Sequence, residues 1–199
     1  MRSRIARDLH DDMGSTLSTI SILSEMARIK VHTDIQKTGE YIEKISDNST
    51  RMMEAMDDIV WSINPTNDSM QKITARMREF ANGVLEARDI EFGFQVDEGI
   101  MDLKLNPEAR RDFFLIFKEA INNLAKYAQC KHAWASVRLQ DSWLVMIIED
   151  DGRGFDVESA DGGNGLVNMK KRAQSLRGNI EILSRPLKGT QVILEFPVT

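Results

Sequence analysis

A histidine followed directly by an acid, His10-Asp11, stands in the run Arg4-Ile5-Ala6-Arg7-Asp8-Leu9-His10-Asp11-Asp12. A neutral imidazole nitrogen can attack phosphorus. A carboxylate on its other nitrogen raises that nucleophilicity and stabilises the positive charge that develops. Far downstream, Glu119, Asn122, Asn123 and Lys126 recur at three- and four-residue steps, so a helix would present them on one polar face. Carboxylate and amide oxygens suit a hard, partly hydrated Mg²⁺, and a lysine ammonium suits phosphate. Asp150-Asp151-Gly152-Arg153-Gly154 follows the apolar run Leu144 to Ile148, which places an acid at a strand end. That acid can accept a hydrogen bond from an exocyclic amine such as adenine's, while the glycines let backbone approach a ligand closely. Gly162-Gly163-Asn164-Gly165-Leu166 then leads into a helix whose free N–H groups and dipole favour phosphate oxygens. No Gly-Lys-Ser/Thr follows, so this is not a P-loop. Taken singly, these features also describe a surface histidine, a solvated helix face, a turn and a loop. In this order they describe a phosphate acceptor and a nucleotide cleft.

The elements that must position these residues are readable from periodicity. Ile5, Leu9, Met13, Leu17, Ile20, Leu23 and Ala27 predict one long helix. Ile35, Thr38, Tyr41/Ile42, Ile45, Ser49, Met52, Met56 and Ile59 predict a second, with the break near Val31 to Asp34 and Thr33 or Asp34 as its cap. Two helices joined by a short turn form an antiparallel hairpin. Such a hairpin cannot bury both stripes alone, so a four-helix bundle formed by two chains completes it; packing onto the rest of the same chain is the alternative. Pro65 biases Asn64 away from the helical region, which sets a domain boundary between residues 1–62 and 63–199. Beyond it the pattern predicts a helix from about Ser69 to Ala87, a strand from Ile90 to Val96, and a helix from Asn106-Pro107 to about Ala128. Strands Ala133 to Leu139 and Trp143 to Glu149, a helix Leu166 to Leu176, and strands Asn179 to Ser184 and Thr190 to Pro197 follow. The fold class is therefore α+β: a helical hairpin, then a layered α/β domain with mostly antiparallel strands.

Composition excludes several functions. With 199 residues, 42% of them apolar and 29% charged, the chain can bury a sizeable core. A formal charge of -5 argues against direct nucleic-acid binding. The single cysteine, Cys130, excludes an internal disulfide framework. No apolar run reaches bilayer length, which points to a cytosolic location for this stretch of chain. His32, in the hairpin turn, and His132, opening a strand, read as ordinary surface residues.

The order of motifs over residues 70–199 resembles the ATP-binding domain shared by sensor histidine kinases, type II topoisomerases, Hsp90 and MutL. That resemblance implies a two-layer α/β sandwich. It makes Glu119 and Asn123 the N box, with Asn123 binding Mg²⁺ and Glu119 supporting it or activating water. Asp150, Gly152 and Gly154 match the adenine-binding box, Gly163 and Gly165 the lid glycines, and Thr190 the threonine beside the adenine-side acid. The N box is usually followed by Lys-His; here the pair is Lys126-Tyr127, so the lysine's phosphate role carries over and the histidine's does not. Arg4 to Asp11 resembles the phosphoacceptor helix of the histidine kinases that work with NarL-type response regulators. This implies ATP-dependent phosphorylation of His10 with Asp11 as its base, then transfer to a regulator aspartate, in a homodimer. Ser15 stands where many of that subgroup carry a glutamine for dephosphorylating the regulator, so the phosphatase role does not carry over. Trp61 to Asp68 is similar to a segment of some membrane-anchored sensor kinases, which implies an anchor elsewhere in the full-length protein. Two other readings use the same boxes: a catalytically silent ATP-binding signalling dimer, and an anti-sigma-type serine kinase.

Overall fold

The computed structural model describes residues 2–157 and 164–198, with side chains described for 13–157 and 165–198. The chain divides into two compact units, residues 1–63 and 64–199.

The first unit is a helical hairpin of α1 (Arg2–Lys30) and α2 (Ile35–Ile63). The turn closes where Thr33 and Asp34 donate backbone N–H bonds to Lys30 O, and Asp34 Oδ1 then accepts from Lys37 N at 3.0 Å. Asp34 is therefore the cap of α2, satisfying one of its orphan donors. Ala27 and Thr38 are buried on the facing sides, but much of the apolar surface is not. Ile22, Ile29, Ile35, Ile42, Met53 and Val60 are each more than half exposed, Ile35 at 82%. Each helix thus carries more apolar surface than its partner in the hairpin covers.

The second unit begins at Asn64, whose extended backbone (ψ 118°) ends α2, while its side chain caps the short turn Pro65–Asn67. Helix α3 (Met70–Glu86) is capped by Ser69 and leads to strand β1 (Glu91–Val96). Asn106 Oδ1 accepts from Ala109 N at 2.9 Å and Pro107 occupies the first turn of α4 (Pro107–Asn123), the N-terminus that the Asn-Pro pair predicts. Strands β2 (His132–Gln140) and β3 (Trp143–Asp150), helix α5 (Asn164–Ser175), and strands β4 (Asn179–Ser184) and β5 (Thr190–Pro197) complete the unit. The sheet has the order β1-β2-β3-β5-β4, with β1 parallel to β2 and the remaining neighbours antiparallel. The parallel pair requires a crossover, and α4 supplies it.

Alternation along β2 and β3 turns Ala133, Ala135, Val137, Leu144, Met146 and Ile148 into the interior, where α3, α4 and α5 pack. Phe113, Phe117 and Phe196 are buried to 2% exposure or less, and Phe113 meets Phe196 with ring centroids 5.5 Å apart. This is an α+β protein whose second unit is a two-layer sandwich, helices on one face of a mixed sheet. One element departs from expectation. The helix read as continuous to Ala128 is α-helical only to Asn123; residues Leu124–Ala128 form a π-turn that ends at Gln129 in the left-handed region (φ 53°).

Candidate functional site

The site is built where α4, the end of β3, the start of α5 and the start of β5 converge. Glu119 and Asn123 share a face of α4 at a four-residue step, with the buried Ala120 beside them in the cavity lining and the buried Ile121 on the core side. The π-turn then carries Lys126 and Tyr127 to the same cavity. Single π-turns cluster at functional sites because the wider turn re-aims the side chains after it. Strand β3 ends at Asp150, which is 9% exposed. Beyond it the chain turns over Gly152, whose N–H donates to Asp150 Oδ1 at 2.8 Å. A Cβ on Gly152 would run into the carbonyl oxygen of Ala128, so this close approach of two backbones requires glycine.

These elements enclose a cavity of about 510 Å³. Its apolar wall comes from Leu124, Ile148, Leu166, Met169, Ile182 and Val192. Asp150 and Thr190 supply polar groups to that wall, and Glu119, Asn123, Lys126 and Arg153 are the remaining charged or amide groups lining it. A mostly apolar cavity with a few convergent polar groups is the ordinary form of a small-molecule site. Burial pushes the Asp150 carboxyl above its usual range, and neighbouring Asp151 pushes the same way; backbone donors from Gly152 and Thr190 pull it back. A buried acid with acceptor capacity beside flat apolar walls suits an amine-bearing heteroaromatic ring.

Thr190 is fixed by its hydroxyl, 3.0 Å from Ser184 Oγ, which in turn donates to Gly189 O and accepts from Phe155 N. Gly154 lines the cavity with a left-handed φ of 57°, a conformation that favours glycine. At the start of α5, Gly165 lies so close to α4 that any Cβ would strike the Glu119 carboxylate. Helix α5 is held there by Arg172 Nη1, 3.0 Å from Asp112 Oδ1 of α4, a largely buried pair.

Glu119, Asn123, Lys126, Asp150, Gly154, Gly165 and Thr190 thus surround one cavity, with Gly152 shaping the turn beside it. Gly163 lies outside the described residues. His10 and Asp11 belong to α1, and their side chains also lie outside the described residues. Burial, followed by Asp150 and Asp151, pushes the Cys130 thiol up to about 11, which favours the protonated form.

Two residues to which the sequence assigned no role in the site belong to its surroundings. Arg153 lines the cavity and donates Nε–H to Tyr127 O at 2.8 Å. His132, taken as an ordinary surface residue, stacks on Trp134 and places Nδ1 at 2.7 Å from Asp151 Oδ2. The available signal was the motif's own variable positions, 151 and 153, each filled by a charged residue.

Among known proteins, residues 2–68 match the family model described as histidine kinase, and residues 108–199 match that of the histidine kinase-, DNA gyrase B- and HSP90-like ATPase. The chain is 27% identical over 199 residues to the sensor histidine kinase DesK of Bacillus subtilis, covering 98% of this chain and 50% of DesK. It is 28% identical over 204 residues to the signal transduction histidine-protein kinase/phosphatase UhpB of Salmonella typhimurium, covering 99% of this chain and 39% of UhpB. The chain spans about half or less of the length of these curated relatives. In fold it is similar to the histidine kinase domain of the Erythrobacter litoralis EL346 blue-light activated kinase, at a TM-score of 0.63 and 16% identity, covering 98% and 94% of the two chains. It is also similar to the Acinetobacter baumannii histidine kinase AdeS, at 0.65 and 12%, covering 91% and 95%.

Proposed function

We propose that the chain is the ATP-dependent kinase core of a two-component sensor histidine kinase, autophosphorylated at His10. The observation that carries this reading is the buried Asp150 carboxylate in an apolar cavity whose other lining groups include Lys126 and Arg153. The adenine amine would donate to Asp150 while Ile148, Met169 and Val192 flank the ring. Lys126 would neutralise phosphate charge, and Gly165 in the first turn of α5 would leave room for a phosphate beside the backbone. Glu119 and Asn123 offer the oxygen donors a Mg²⁺ accompanying the triphosphate requires, and bound there the ion would neutralise phosphate charge. Glu119 would additionally position the attacking group.

His10 would attack the γ-phosphorus through a neutral ring nitrogen. Asp11 would hold the proton of the other nitrogen, and the bond to the leaving ADP would break as the new N–P bond forms. Positioning and charge neutralisation supply most of the rate. The hairpin would pair with that of a second copy, covering the apolar surface left by α1 and α2, and dock a response regulator whose aspartate takes the phosphoryl group. A NarL-type regulator, a cytosolic location and an anchor elsewhere in the full-length protein complete the proposal. Among the described residues no helix is long and apolar enough to cross a membrane.

The test is incubation with γ-labelled ATP and Mg²⁺. Acid-labile, alkali-stable label is expected on the wild type and none on His10→Gln, with nucleotide affinity unchanged within about twofold. Label that survives the substitution would refute the assignment of His10. Acid-stable label on a partner protein would point to a serine kinase.

A further inference from the structure

The variable positions of the Asp150-x-Gly152-x-Gly154 turn are both used, and both reach the same neighbouring segment. Asp151 Oδ1 accepts from Lys131 N and His132 N, each at 3.0 Å, and Oδ2 lies 2.7 Å from His132 Nδ1. Asp151 N donates to His132 O at 3.2 Å. An ionised carboxylate only accepts, so Nδ1 of His132 carries the proton. Asp151 is held down at about 2 by these donors, with the His132 backbone and ring first. Arg153 repeats the pattern one step along, with its backbone N on Ala128 O and its Nε on Tyr127 O, both at 2.8 Å.

The segment so gripped, residues 127–132, begins with the last two residues of the π-turn that carries Lys126. The Asp150 carboxylate has donors of its own, the backbone N–H groups of Gly152 and Thr190. Two supports therefore exist side by side: one for the acid at the apolar end of the cavity, one for the distance between that acid and the lysine.

We infer that Asp151 and Arg153 are positioning residues that clasp the end of the π-turn to the Asp150 turn and thereby set the spacing between the ring-binding and phosphate-binding halves of the site. Asp151 acts without lining the cavity; Arg153 lines it and acts from its edge. This inference rests on the nucleotide reading proposed above.

The experiment measures affinity of the intact chain for adenosine and for Mg-ADP, by calorimetry, in the wild type, Asp151→Ala, Asp151→Asn and Arg153→Met. Loss of the clasp is expected to weaken Mg-ADP about tenfold in Asp151→Ala and Arg153→Met while adenosine changes less than about twofold. Asp151→Asn keeps an oxygen for Lys131 and His132 N–H and should recover most of the Mg-ADP affinity. Equal weakening of both ligands would mean general damage to the fold, and no weakening of either would mean the clasp is irrelevant; each overturns the inference. A wild type that binds neither ligand would overturn the nucleotide reading itself, and the inference with it.

Discussion

Asp150 carries a conflict between stability and recognition that can be measured. Its folded-state carboxyl titrates above the ordinary carboxylate range because burial disfavours the charge. A carboxyl raised in the folded state makes folding less favourable once the pH exceeds the unfolded value, and protonation relieves that cost. Asp150→Asn is therefore expected to unfold at the same or a higher temperature than wild type at pH 7, while losing adenine nucleotide affinity at least tenfold. Thermal melts and calorimetry on one preparation check both halves. Asp151 has the opposite sign. Its pKa is depressed to about 2 from 3.8, so its stabilising contribution is complete above the unfolded value and lost as pH falls through 3.8 toward 2. The melting-temperature gap between wild type and Asp151→Asn should accordingly be present at pH 7 and close by pH 2. That Glu119, Asn123, Lys126 and Asp150 would gather could be read from their types and spacing, and Thr190 was added by the family resemblance; all five line one cavity. The place of His132 could not be read, because its partner is set by strand register and lies far along the chain: Ala133 pairs with Asp150, which brings Asp151 beside the ring.

At the scale of elements, α4 supports the site, and a single side-chain cap fixes its N-terminus. The Asn106 cap satisfies Ala109 N, and Asn106→Ala is expected to cost about 1 kcal/mol of stability, read as a shift in the urea midpoint at constant slope. Caps, turn prolines and strand alternation are local codes, which is why the starts of α3 and α4 and the five strands could be read before any coordinates. The π-turn could not. Leu124 to Ala128 have compositions that an α-helix accepts equally well, and periodicity has no signature for one widened turn. Its partners are tertiary: Arg153 donates its Nε–H to Tyr127 O and its backbone N–H to Ala128 O. The parallel pairing of β1 with β2 was likewise beyond local reading, because direction depends on how α4 crosses the sheet.

Over the whole molecule, two compact units carry different liabilities. The unit of residues 64–199 has its own core of Phe113, Phe117, Phe196 and their neighbours, so expressed alone it should fold and bind Mg-ADP with near wild-type affinity by calorimetry. The hairpin has the reverse character, with apolar residues such as Ile22, Ile42, Met53 and Val60 left exposed. If the hairpin pairs with a second copy as proposed, replacing Ile42 and Met53 with Asp is expected to convert that dimer into a monomer by analytical ultracentrifugation. That apolar surface was legible from the sequence, since two stripes wider than one interface can be counted. The π-turn, finally, makes chain length itself a functional variable. Removing Ala125 would leave every motif residue present and let the helix run on in regular form. Yet it would rotate Lys126 off the cavity and strip Arg153 of the carbonyls it holds. A comparison that scores only residue types would pass such a chain, though it had lost the geometry that makes those types a site.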